Sequence, residues 1–339
     1  MKLTEWTSCG GCAAKWGGAP LRRLIAELAA PGESQLLVGL GLFDDAAVYR
    51  LTDDLALVST TDFFPPLVDD PRDFGAVAAA NACSDIFAMG GQVVLALNIA
   101  AFPEELPSEV VDDILSEAAL VVREAGGTVA GGHTIRSPEP IFGLAVQGTI
   151  DPGRVWSKGG GRPGDHLLLS KPIGTGIVLA GGDEAAKREV ITGMRTLNRA
   201  AATALAALET GEAAGGELDR RVHAVTDVTG FGLAGHSWEM AERSSVRMAI
   251  RSESIPLYPG ARDLAAGGVK TGGEARNRAY LGAHLSVSAD ALFEAIVLDP
   301  QTSGGLLATV EAGAAPELVA AGWWDIGEVV AGPAGVEVG

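Results

Sequence analysis

The segment Cys9-Gly10-Gly11-Cys12-Ala13-Ala14-Lys15 sets two thiols, two glycines and one ammonium side by side near the start of the chain. A neighbouring cation favours the thiolate, the nucleophilic form of cysteine, and glycine lets a backbone come close to a ligand. Elsewhere, acidic residues recur beside glycines or apolar runs: Asp44 and Asp45, Asp62, Asp85 and Asp227. Carboxylates drawn from distant positions are the usual protein ligands of Mg²⁺ on a polyphosphate. A reactive thiol with such carboxylates points to metal-dependent phosphate chemistry.

These groups need elements to position them. Apolar spacing predicts a helix over Pro20 to Leu28, short strands at Leu36–Val38 and Ala46–Leu51, and a third at Leu55–Thr60 running into Asp62. Asp70-Pro71 opens a helix with a capping carboxylate and proline at the first helical position. That helix carries Asn81 and Asp85 on one face and stops near Met89-Gly90-Gly91. A strand follows over Val93–Ala100, then a helix capped by Ser108 with an inward stripe from Val110 to Val122. Thr128–Ala130 is a strand leading into a turn, Gly131-Gly132-His133-Thr134, whose glycines let backbone N–H groups approach an anion. Phe142–Ile150 closes the first half.

The Gly/Pro-rich stretch from Asp151 to Gly164 marks a boundary. Strands at Leu167–Leu169 and Val222–Val225, helical sequence around Ala185–Ala207 and the Thr226-to-Gly232 loop follow. Asp299-Pro300-Gln301-Thr302-Ser303-Gly304-Gly305-Leu306 lies near the end. Strands alternating with helices predict an α/β (α+β) protein of two domains, each a mixed sheet flanked by helices. The expected divisions are a flexible segment over 1–17, a first domain over 18–155 and a C-terminal α+β domain over 156–339.

Composition bounds the partners. The 339 residues carry a formal charge of -18, which argues against nucleic acid. An acidic protein that binds ATP must screen the phosphates with cations. No run approaches the roughly 20 apolar residues of a bilayer helix, and no signal segment leads the sequence. Three cysteines are too few for a disulfide scaffold, so a cytoplasmic setting is expected.

Each candidate has a plainer reading. Asp54, Asp69 and Asp165 read as turn formers or caps. Cys83, in an Ala-rich helix, reads as a packed small residue. His133, His166, His223, His236 and His284 have no ligand spacing. No P-loop occurs, and Gly174-Thr175-Gly176 reads as a tight strand-to-helix turn. Cys9 and Cys12 have the spacing of a zinc or redox pair. Zinc lacks two further ligands, and a thioredoxin-like pair should follow a strand. A nucleophilic or chalcogen-handling thiol beside Lys15 is the third reading.

Taken together, Gly11 to Lys15, Asp44 to Tyr49, Ser59 to Phe64, Asn81 to Gly91, Ala130 to Thr134, Pro138 to Ala145, Thr226 to His236 and Asp299 to Leu306 resemble the selenophosphate synthetase (selenide, water dikinase) family. That family belongs to the superfamily of aminoimidazole ribonucleotide synthetase. The resemblance implies Cys12 and Lys15 as catalytic residues and Asp45, Asp85 and Asp227 as Mg²⁺ ligands. It implies nucleotide contacts at Lys15, Leu42, Phe43, Asp44, Asp62, Asp85 and the Gly132-His133-Thr134 turn, the last across a homodimer interface. Implied too is the reaction selenide + ATP + water → selenophosphate + AMP + phosphate, under a closing N-terminal flap. Many members have Cys-Gly-Cys-Lys, whereas Ala14 stands here in place of the second cysteine. Two rivals remain: another ATP-using enzyme of the superfamily, or a thiol carrier using Cys9 and Cys12. The Cys12–Lys15 pair speaks against the first, and the aspartate loops are unexplained by the second.

Overall fold

The computed structural model describes residues 2–7, 10–14, 34–40, 44–209 and 220–339. Cys9, Lys15, Leu42, Phe43, the Cys12 side chain and the helix expected over Pro20 to Leu28 lie outside the described residues. The chain forms two units, Met1–Val155 with Ile191–Leu197, and Trp156–Val190 with Asn198–Gly339.

Among the described residues the first unit is a six-stranded sheet with two α-helices. Its elements are β1 (Leu36–Val38), β2 (Ala47–Arg50), β3 (Ala56–Phe64), α1 (Pro71–Ala88), β4 (Gln92–Phe102), α2 (Ser108–Glu124), β5 (Thr128–Arg136) and β6 (Ile141–Ile150). The strand order is β1-β2-β3-β6-β4-β5. Among the described strands of this unit only β4 and β5 pair in parallel, and α2 makes the crossover that such a pair requires. Helix α1 likewise links β3 to β4, which both run antiparallel to the β6 strand between them.

Local chemistry explains α1. The Asp70 carboxylate accepts from the Arg72 and Asp73 backbone N–H groups, as expected of an N-cap before proline. All but four of its 18 residues are buried. Its alanines keep it thin enough to be covered on nearly every side, so it carries no apolar stripe. Phe64, Phe74 and Phe142 close the core beside it, with ring centroids 6.1 and 6.2 Å apart in turn.

Two local expectations need correction. Pro107, not Ser108, takes the N-cap of α2, and Ser108 is the first helical residue with no capping bond. Gly131 to Thr134 is not a turn but the middle of β5, paired in parallel with β4 from Leu95↔Thr128 to Phe102↔Arg136. Gly132 has φ of 153°, and a Cβ there would overlap the Asn98 carbonyl oxygen of β4. Glycine reads locally as a turn, but here it admits a close backbone approach within a ladder.

The second unit carries β7 (His166–Leu169), α3 (Thr175–Gly181), α4 (Glu184–Arg195, whose last turn belongs to the first unit), α5 (Arg199–Ala207), β8 (Val222–Asp227) and α6 (Gly232–Ser244). It continues with β9 (Arg247–Ile250), α7 (Ala261–Ala266), α8 (Glu274–Leu281), β10 (Leu285–Val287) and α9 (Ala291–Leu298). The last elements are β11 (Leu306–Val310), α10 (Ala315–Ala320), β12 (Trp324–Val330) and β13 (Gly335–Val338). Its seven strands run β10-β13-β9-β12-β7-β11-β8. Leu167, Leu169, Leu233, Met240, Met248, Phe293, Ile296 and Ile326 belong to its buried core. Gly174, with φ of 105°, caps α3 and is the tight turn the sequence suggests.

Candidate active site

In the first unit the acidic residues converge between β3 and the facing side of α1. Strand alternation turns Thr60 and Asp62 toward the helix, and helical spacing turns Asn81 and Asp85 toward the strand. Two rungs join them. The Thr60 hydroxyl donates to Asp85 Oδ2 at 2.5 Å, and the buried Asn81 amide donates to Asp62 Oδ2 at 2.5 Å. The Asp45 and Asp85 carboxylate oxygens lie within 4.8 Å of each other, both groups half-buried. Two oxygens at about 2.1 Å from one Mg²⁺ stand about 3 to 4 Å apart, so a small approach brings this hard-oxygen pair to a shared ion. Asp44 is half-buried beside Asp45.

Gly132, His133 and Thr134 are not brought to these carboxylates within the first unit. Register aligns Asp62 with Leu144, Leu144 with Asn98, and Asn98 with Gly132. Three strand spacings, about 14 Å, therefore separate Asp62 from Gly132. His133 and Thr134 sit exposed on the edge strand β5.

The described part of the N-terminal arm lies on the first unit. Leu3 is buried, the Thr4 hydroxyl donates to Asp69 at 2.5 Å, and the Thr7 hydroxyl donates to Glu139. Gly11 N–H donates to the Pro65 carbonyl at 2.9 Å, just past the end of β3. A Cβ on Gly10 would overlap the Pro66 carbonyl oxygen, so only glycine fits that contact. Asp69 is thus an anchor for the arm. Sequence reasoning missed it, together with Thr60 and Glu139; of these only Thr60 carried a signal, its two-residue spacing from Asp62.

In the second unit Asp227 ends β8 and is only 1% exposed. At the same end of the sheet, Leu306 pairs with Asp227 and Leu307 with both Thr226 and Leu169. Two residues past β7, the buried Lys171 ammonium donates to the Ser303 carbonyl at 3.0 Å. Burial lowers the Lys171 pKa to about 7 against the attraction of the Asp227 carboxylate. No motif in the sequence singled out Lys171.

The remaining candidates have structural partners. Cys83 is buried in α1, and burial followed by the Asp85 charge pushes its thiol up to about 12. Asp54 accepts from Thr52, and Asp165 closes a turn with Arg162 N–H while pairing with His223. His166 pairs with Asp325, and His284 stacks on Trp238 at 3.9 Å. No described helix is long and apolar enough to cross a membrane.

Comparison with known proteins agrees with this architecture. Residues 43–150 match the model of the AIR synthase related protein N-terminal domain, and residues 162–339 that of its C-terminal domain. The chain is 44% identical to selenide, water dikinase of Myxococcus xanthus, over 99% of this chain and 97% of the relative. It is 45% identical to the Geobacter metallireducens protein of the same name, over 91% and 89%. Among solved structures it resembles AaThiL complexed with AMPPCP and TMP, with TM-score 0.69, 20% identity and 95% and 93% coverage. It also resembles hydrogenase maturation protein HypE in complex with ATP, with TM-score 0.60, 20% identity and 100% and 95% coverage. At such identity these two likenesses speak for the fold alone. By its near full-length match to the curated relatives, the chain belongs to the selenide, water dikinase family of AIR synthase related proteins.

Proposed function

We propose that this chain makes selenophosphate, converting selenide, ATP and water to selenophosphate, AMP and phosphate. The observation that carries the reading is the Asp45–Asp85 pair, held beside the Asp62–Asn81 rung in a chain of this family. Asp45, Asp85 and Asp227 would hold Mg²⁺, a cation that offsets charge on the triphosphate as a soft anion attacks phosphorus. Asp44, Asp62 and Asp85, with Leu42 and Phe43, would contact the nucleotide. Lys15 would add positive charge at the phosphates.

Cys12 is the residue proposed to position selenide for attack on phosphorus, its S–H acting as a hydrogen-bond donor to the selenium anion with no S–Se bond formed. The arm would exclude water until transfer is complete. Its anchors at Asp69, Pro65 and Glu139 support a defined position for Gly11 next to Cys12. Phosphorus NMR of ATP with and without selenide, under anaerobic conditions, tests the reading. Selenophosphate and AMP should appear only with selenide and should vanish in Cys12→Ser. Selenide-independent ADP as the sole product would overturn it.

The same reading includes a homodimer. Exposed apolar side chains mark three strands of the first unit's sheet: Phe63 on β3, Leu97 on β4 and Ile135 on β5. A second copy covering them would also give His133 and Thr134, remote from their own Asp62, a nucleotide to contact. Sedimentation equilibrium should give twice the chain mass, and Phe63→Asp should shift it toward monomer. A monomeric wild type would remove the dimer from the proposal.

A further inference from the structure

Directly after Asp227 the chain makes a short turn, Val228 to Phe231, before α6 begins. Its backbone is tied on both sides. Val228 N–H donates to the Gly305 carbonyl at 2.9 Å, while the Thr229 carbonyl accepts from Gly232 and Gln301, each at 3.0 Å. Its one polar side chain, Thr229, leads into the core. Thr229 Oγ1 stands 3.3 Å from His236 Nε2, and His236 Nδ1 stands 3.4 Å from Glu239 Oε2. Glu239 pairs with Lys158 at 2.9 Å and accepts from the Tyr280 hydroxyl at 3.3 Å. Thr229, His236, Glu239 and Lys158 are all under 9% exposed.

Such a string is costly to bury, and a packed apolar set would be no less stable. What it supplies is direction. Burial alone would push the Glu239 carboxyl up, but Lys158 and then His236 hold it well below the usual carboxylate range. The Thr229 hydroxyl and His236 Nε2 lie within hydrogen-bond distance, while His236 Nδ1 faces the Glu239 carboxylate as a charge contact and not as a hydrogen bond. Phe231, whose ring lies 5.6 Å from the His236 ring, restricts how that imidazole can turn.

We infer that Thr229 and His236 are positioning residues: anchored by the polar string running back to Lys158, they fix the Val228–Phe231 turn and through its backbone aim the adjoining Asp227 carboxylate for its cation. This inference rests on the proposed role of Asp227 as a metal ligand. Outer partners of metal ligands are worth about 10- to 100-fold in metal affinity.

Thr229→Val keeps the shape and removes the hydroxyl; His236→Phe keeps a ring beside Phe231 and removes both nitrogens. Each is titrated with Mn²⁺, following the free-ion signal by electron paramagnetic resonance, and with Mg²⁺ in the selenide-dependent AMP assay. Both variants should need about tenfold more metal or greater, with thermal melting near that of wild type, and Thr229→Ser should restore wild-type behaviour. Unchanged Mn²⁺ affinity in whichever variant folds would overturn the inference. So would collapse of both, which would make the string purely structural. If wild type forms no AMP from selenide while Mn²⁺ binding still weakens in Thr229→Val, the proposed reaction fails and the positioning role stands.

Discussion

Asp62 and Asp85 in the first unit and Glu239 in the second are held by opposite means. In the first, Asp85 and Asp62 are each steadied by a neutral donor, Thr60 or Asn81, which fixes an oxygen without cancelling its charge. In the second, Glu239 is compensated by Lys158 inside the core, and Asp227 is deeply buried at a strand end with Lys171 nearby in charge. A neutral donor leaves negative charge available for a cation from solution. An internal cation spends it on conformation. Asp62 and Asp85 should therefore matter for activity out of proportion to stability, and Glu239 the reverse.

The largest expected effect comes from testing that contrast in one pair of variants. Asp85→Asn keeps an acceptor for Thr60 but halves the charge of the Asp45–Asp85 pair. Turnover should fall about 1000-fold, or roughly 4 kcal/mol in the barrier, with unfolding free energy within about 1 kcal/mol of wild type. Glu239→Ala takes a carboxylate away from the buried Lys158 ammonium and should cost about 3 to 5 kcal/mol in urea unfolding. If Asp85→Asn proves as destabilising as Glu239→Ala, the distinction between the units is lost.

A smaller effect concerns Asp299, also in the second unit. Its Oδ2 accepts from the Gly176 and Ile177 N–H groups at the start of α3 and from Gln301. Burial nevertheless raises its pKa to about 7. Between pH about 4 and about 7 the folded state keeps a proton the unfolded chain has lost. Stability therefore falls as pH rises through this window, by up to about 1.4 kcal/mol per pH unit from this group. Glu239 acts with the opposite sign, since its lowered pKa costs stability as pH falls below its usual value of 4.5. Asp299→Asn should remove the loss between pH 4 and 7 in urea titrations. An unaltered pH profile would show that the group is ionised throughout.

Much of the first unit was legible because its signals are local. Asp70-Pro71 announces a helix start in four residues of sequence, and Asn81 and Asp85 share a face at any helical geometry. The Gly131-Gly132 pair misled for the same reason. Their positive φ is local, but the parallel partner that makes them strand lies more than 30 residues away in β4. The string from Thr229 to Lys158 had no signal at all, since four polar residues over some 80 positions form no motif. Only burial reveals that they must satisfy one another.

By itself the sequence determined the residue types able to do chemistry, the helix that carries Asp85 and the strand that ends near Asp227. These follow from backbone preferences and side-chain periods of a few residues. Tertiary structure alone decided that Asp45 meets Asp85, that Gly132 lies three strands from Asp62, and that Lys158 neutralises Glu239. Each of these depends on strand order or core packing, where contacts form between residues far apart in the chain and no short-range preference records them.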